Sequence, residues 1–245
     1  MRVLRKMRAV KGFTLKARDG EVGALKQIYF DDRNWVVRYL VVHTGSWLMG
    51  REVLISPRSV IQADEANRRL VVALTRQQIM DSPAFTSETP VSRQYEEALH
   101  RYYQWEPYWV NDPALGPILS ADAIEPALEN REQPRPELHL RSSDELSGYH
   151  IHARDGEIGH VEDFLIDDES WAVRYLEVDT RNWLPGKRVL LAPAWIDAID
   201  WLTGEVRVRL ERAAIQNAPE YDPSSPVDRD YEARLSAHYG EDAHA

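Results

Sequence analysis

Ala17-Arg18-Asp19-Gly20-Glu21-Val22-Gly23 recurs later in the chain as Ala153-Arg154-Asp155-Gly156-Glu157-Ile158-Gly159. At the same offset Trp35-Val36-Val37-Arg38-Tyr39-Leu40 answers Trp171-Ala172-Val173-Arg174-Tyr175-Leu176. Trp47-Leu48-Met49-Gly50 answers Trp183-Leu184-Pro185-Gly186, and Val53-Leu54-Ile55-Ser56-Pro57 answers Val189-Leu190-Leu191-Ala192-Pro193. Residues 12–103 and 148–239 align without a gap, with about 35 of 92 positions identical. Chance does not produce such agreement, so the two copies share a fold.

One copy reads as a small, mainly β unit. Asp19-Gly20 and Asp155-Gly156 lie between β-prone runs, and Asp-Gly supplies the positive φ of a tight hairpin turn. A strand from Leu25 to Phe30 ends at the polar turn Asp31-Asp32-Arg33-Asn34. Trp35 to Thr44 is rich in Val, Tyr and Leu and predicts a strand buried on much of both faces. Glu52–Ile55 predicts another strand, stopped by Pro57. Arg69–Leu74 and Glu205–Leu210 predict the closing one. Five or six short strands joined by tight turns suggest a small barrel or curled sheet.

A helix closes each copy. Thr89-Pro90 and Ser225-Pro226 place a capping hydroxyl before a proline at the first helical position. Val91, Tyr95, Leu99 and Tyr103 then recur every fourth residue, as do Val227, Tyr231, Leu235 and Tyr239. That spacing builds one apolar face, which a short helix must dock to persist. The dock is its own unit, the other unit or another subunit. The expected division is 1–106 for the first unit with its arm, 107–137 for a proline-rich linker, and 138–245 for the second unit with its arm. A short helix is expected within the linker, from Ser120 to Asn130.

Bulk properties narrow the function. The chain has 245 residues, enough for two modest cores. It has no cysteine, which removes disulfides, thiolate metal sites and a cysteine nucleophile and suits a cytoplasmic location. Net charge is −10, which argues against nucleic acid as a partner. The charge is uneven, about +5 over residues 1–110 and about −15 over the rest. Drift on a solvated surface is the ordinary reading; the sharper one is attraction between the halves, within one chain or between chains. No apolar run reaches the roughly 20 residues of a membrane span. The basic stretch Met1–Arg8 lacks the apolar core of a signal peptide.

The motif series resembles the PRC-barrel domain, named for the cytoplasmic part of the photosynthetic reaction centre H subunit and found also at the C-terminus of a ribosome maturation factor. The likeness covers roughly residues 5–85 and 141–221, and the arms with Pro-Val-x-Arg-x-Tyr-Glu resemble extensions of stand-alone bacterial members. It implies two small β-barrels in tandem, each followed by a helical arm. It also implies a non-enzymatic adaptor that binds or stabilises a protein partner or complex, with a membrane surface as one setting and a homodimer as one assembly. An alternative is an accessory of membrane electron transfer. Fold alone does not dictate activity.

Candidate interaction residues are Arg38, Arg174, Trp47 and Trp183. Arg38 and Arg174 sit mid-strand among apolar neighbours, where a charge needs a partner. The repeated acids Asp31, Asp32, Asp167 and Asp168 offer a structural ion pair; contact with an anion or partner is the other use. Trp35, Trp47, Trp171 and Trp183 are core candidates by size. Trp47 and Trp183 follow a loop and are the better surface anchors. His150 and His152 share a strand face, with His160 or His139 nearby. The first copy has Thr14, Lys16 and Ala24 at the positions of His150, His152 and His160, so no metal is expected. No catalytic constellation, Gly-rich phosphate loop or nucleophile elbow is present, and no cofactor is expected.

Overall fold

The structure is a computed structural model that describes residues 3–86, 91–111, 139–180 and 187–240. Trp183, Thr89-Pro90 and the linker helix expected at Ser120–Asn130 lie outside these residues. The fold is mainly β, in two sheets of seven strands with the same topology.

In the first half the strands are β1 (Leu4–Lys6), β2 (Thr14–Ala17), β3 (Gly20–Asp31), β4 (Val36–His43), β5 (Glu52–Ile55), β6 (Val60–Asp64) and β7 (Arg69–Val72). In the second they are β8 (Leu140–Ser142), β9 (His150–Ala153), β10 (Gly156–Asp167), β11 (Val173–Asp179), β12 (Arg188–Leu191), β13 (Ile196–Asp200) and β14 (Glu205–Val208). The first sheet runs β5-β4-β3-β2-β7-β6, and β2 pairs β7 in parallel. The second repeats this as β12-β11-β10-β9-β14-β13. Among the described residues neither sheet closes into a barrel, since the strand paths end at β5 and β6 and at β12 and β13. The expected closed barrels are corrected to curled, open sheets.

The long third strand produces the curl. The N-terminal part of β3 pairs with β2 and the rest with β4, with register shifts at Leu15/Lys16 and Leu25/Gln27. Gly23 sits where the partner changes. A Cβ there would lie 2.1 Å from the His43 carbonyl oxygen, and one on Gly159 would lie 2.0 Å from that of Asp179. Only glycine admits this approach. The Asp-Gly hairpin is anchored as well. Asp19 Oδ1 accepts the Arg76 amide at 2.7 Å, and Asp155 Oδ1 accepts that of Arg212 at 2.8 Å.

The two units are not self-contained, because each lends the other a strand. β1 pairs with β10 of the second sheet, Arg5 opposite Ile166. β8 pairs with β3 of the first, Arg141 opposite Phe30. Asp168 takes Arg5 at 2.9 Å, and its counterpart Asp32 takes Arg141 at 3.4 Å. Between the sheets, Val36 bridges Ala172. Val37 N–H donates to the Trp171 carbonyl at 2.9 Å, and Val173 N–H to that of Trp35 at 2.7 Å. Trp35 and Trp171 hold left-handed φ values of 53° and 60°, which turn those carbonyls toward the other unit. These contacts relate the halves by a pseudo-two-fold axis. One apolar core runs through both, with Phe30 and Phe164 rings 6.0 Å apart. Charge joins them too: Lys6 pairs with Glu177 at 2.9 Å, Lys11 with Asp144 at 2.8 Å, and Arg8 with Glu162. The attraction between basic and acidic halves is thus made within one chain.

The arm helices span Arg93–Tyr103 and Arg229–Tyr239. Their caps are Ser92, which accepts the Tyr95 amide at 3.2 Å, and Asp228, which accepts that of Tyr231 at 2.7 Å. The second helix therefore starts after Asp228; Ser225 instead donates to Asp222 at 2.8 Å within a turn. Each arm docks on its own unit. Val91 and Leu99 cover Tyr39, Val41 and Leu54 on the outer face of the first sheet. This is why β4 is buried on both faces. The chain then continues past its expected linker boundary into a 3-10 turn, Tyr108–Asn111, that packs back on the first unit.

Candidate functional site

Arg38 and Arg174 are related by the pseudo-two-fold axis and meet different surroundings. Arg38 is half-buried, 3.0 Å from Asp31 Oδ2, so the ion pair exists. The other oxygen of Asp31 accepts the Arg33 amide at 3.0 Å and closes the turn before β4. The Arg38 guanidinium lies 4.0 Å from the centre of the Tyr108 ring. Tyr108 is brought there by the 3-10 turn after the first arm.

Beneath Tyr108 lies a buried polar cluster. Glu96 is fully buried. Its Oε1 accepts the Tyr39 hydroxyl at 2.8 Å and the Tyr108 hydroxyl at 2.7 Å. Arg93 stands 3.1 Å from the other oxygen and lies over Trp109 at 4.2 Å. Burial and the Glu96 charge push the Tyr39 and Tyr108 hydroxyls well above their ordinary value, so both stay donors. Glu96→Gln keeps the shape and removes the charge. It should cost about 2 kcal/mol in urea denaturation, the scale of a charged hydrogen-bond partner.

His100 and Asp163 set opposing pH dependences. Burial lowers His100 to about 4, so its penalty appears as pH falls from about 6.5 to about 4. Burial raises Asp163 to about 6, with the Glu177 charge adding, so its penalty is relieved as pH falls from about 6 toward 3.8. Measured at pH 7 and pH 4.5, His100→Ser should lose less stability on acidification than the parent. Asp163→Asn should lose more. Identical pH profiles for all three would contradict these assignments.

Around Arg174 the surroundings open into a groove of about 650 Å³ between the units. Its walls include Trp35, Arg33, Pro193, Ile196, Trp201 and Arg209. The corresponding space around Arg38 is only about 130 Å³, because Trp105, Glu106 and Tyr108 form its outer wall. Val37, Arg38 and Pro57 line one space and Val173, Arg174 and Pro193 the other. The same site is thus largely filled in one copy and wide in the other.

Of the expected interaction residues, Arg174 reaches the groove and Arg38 is engaged by Asp31 and Tyr108. Trp47 lies on a 3-10 turn, Gly45–Leu48. His160 is the cross-strand partner of His150 in the β9–β10 ladder. His150 pairs with Glu157 at 2.9 Å. His160 instead stands with Glu162 and Asp179. Arg188 lies 3.8 Å from Glu162 and 3.9 Å from Asp179, so a guanidinium already answers these acids. Sequence reasoning missed the exchanged strands. Leu4-Arg5 and Leu140-Arg141 share the repeat offset and carried the signal.

A scan of protein-family models finds no match to the chain, and a search of curated proteins finds none.

Proposed function

We propose that the chain is a non-enzymatic adaptor of two PRC-barrel-like modules that binds or stabilises a protein assembly, in the cytoplasm. The motif resemblance gives the module type, and no helix among the described residues is long and apolar enough to cross a membrane. The observation that carries the reading is the groove over Arg174. It has arginine on its floor, tryptophan in its walls and a volume that admits side chains of another molecule. Arginine and tryptophan are enriched among residues that dominate protein interfaces.

A photo-cross-linking residue at Ala194, on the groove wall, tests this in the native cells. A defined protein adduct is expected there and not at Arg58, the aligned position of the first module. No adduct at Ala194, or the same adducts at both positions, would overturn it.

A further inference from the structure

We propose that the first module carries a binding site for a small neutral aliphatic molecule, in a cavity of about 300 Å³ between its own sheet and residues of the second module. The site is separate from the groove over Arg174 and does not rest on the adaptor reading.

The floor of the cavity is aliphatic. Leu25, Ile28 and Leu70 come from the first sheet, Val10 from the helical turn Met7–Val10, and Ile166 from β10 of the second sheet. The mouth lies at β6, where Ile61 is 66% exposed. Beside it stand Gln62, Trp171 and the ion pair of Arg5 with Asp168. The volume is at the lower end of small-molecule pockets, roughly 300–1,000 Å³. Such a floor takes an alkyl chain out of water, and such a rim offers hydrogen-bond acceptors to one polar end.

The second module does not repeat this cavity. The counterparts of its rim, Asp32, Trp35 and Ile196–Ile199, line one end of the groove over Arg174. That groove does not continue inward. Val161, Phe164, Val206 and Phe30 stand for Leu25, Ile28, Leu70 and Ile166, and none of the four lines it. The reason is a row of rings. Phe30 stacks on Trp35 at 5.3 Å and meets Phe164 at 6.0 Å. Valine at 161 and 206, and Ser143 in place of Met7, leave room for the rings. In the first module Ile28 and Ile166 replace both phenylalanines. Isoleucine is shorter than phenylalanine and stiff at its branched Cβ, so no such row forms behind Trp171 and the interior opens to the mouth. The rim differs as well, with Ile61 where the second module has Asp197.

Charge at the mouth selects the head group. Arg5 is engaged by two carboxylates, those of Asp168 and Glu65. The cation is therefore already answered. A hydroxyl can donate to these acids, whereas a carboxylate would meet them as a like charge.

The test uses the intact chain and 1-octanol, followed through the NMR resonances of isoleucine methyl groups. Saturable shifts are expected at Ile28 and Ile166, with Ile196 and Ile199 unmoved. 1-Hexanol, two methylenes shorter, should bind about tenfold more weakly. Octanoate should bind at least about fivefold more weakly than the alcohol. Ile28→Phe, which supplies the ring of the second module, should abolish binding. Ile61→Asp, on the exposed rim, should weaken it by about threefold or more and decides the matter even if Ile28→Phe fails to fold. Failure to saturate, equal affinity for hexanol or octanoate, or unchanged affinity in Ile61→Asp would overturn the proposal. Shifts at Ile196 and Ile199 in place of Ile28 and Ile166 would put the alcohol in the groove over Arg174 and also overturn it.

Discussion

Gly159→Ala is expected to lower unfolding free energy by about 3 kcal/mol or more, the upper range for single substitutions. The added Cβ would stand 2.0 Å from the Asp179 carbonyl oxygen and 2.9 Å from its carbon. Both are backbone atoms, so no rotamer change relieves the clash, and β10 must part from β11. Gly159 also has φ of +145°, which an alanine rarely adopts. Gly23→Ala should behave alike, through the His43 carbonyl at 2.1 Å. Gly45 is the control. It has φ of +59° and nothing within 4 Å of a Cβ, so Gly45→Ala should cost only about 1 kcal/mol. Urea midpoints separate the two causes. Equal losses at Gly45 and Gly159 would mean that backbone conformation, not close approach, sets the cost.

Phe30→Ala is expected to cost about 3–5 kcal/mol, the range for deleting a buried phenylalanine. Phe30 is fully buried, stacks on Trp35 at 5.3 Å and faces Phe164 at 6.0 Å. It also pairs with Arg141 of the strand lent by the second module. The cavity therefore opens in a core that belongs to both modules. The loss should be seen by probes in either one. A loss confined to the first module would show that the shared core does not couple them.

Much of the fold was legible because its signals are local. Asp-Gly marks the hairpins, the β-branched and aromatic run marks β4, and four-residue spacing marks the arms. The helix start was misplaced because proline was given the first helical position. Asp228 has the better cap, since its carboxylate reaches the Tyr231 amide. Barrel closure failed as an expectation because the count of strands does not say whether the end strands meet. Exchange of β1 and β8 was hidden for another reason. Three residues carry no periodicity, and only Leu4-Arg5 against Leu140-Arg141 betrays them. Asp31 and Asp32 were read together as partners for Arg38. In the structure they divide the work: Asp31 closes the turn and holds Arg38, and Asp32 holds the exchanged strand. The groove was illegible because it depends on a difference between copies that lies beyond the aligned repeat, at Trp105–Trp109.

The reciprocal strand exchange makes the two modules a single cooperative unit, on which the placing of the groove depends. The chain has eight tryptophans, four in each half: Trp35, Trp47, Trp105 and Trp109, and Trp171, Trp183, Trp195 and Trp201. Replacing them with 5-fluorotryptophan and following ¹⁹F resonances through urea unfolding reports on both modules in one sample. All native resonances should vanish with one midpoint, as in an all-or-none transition. Two midpoints, with the resonances of one copy lost while those of the other persist, would contradict the exchange and return the chain to two independent domains.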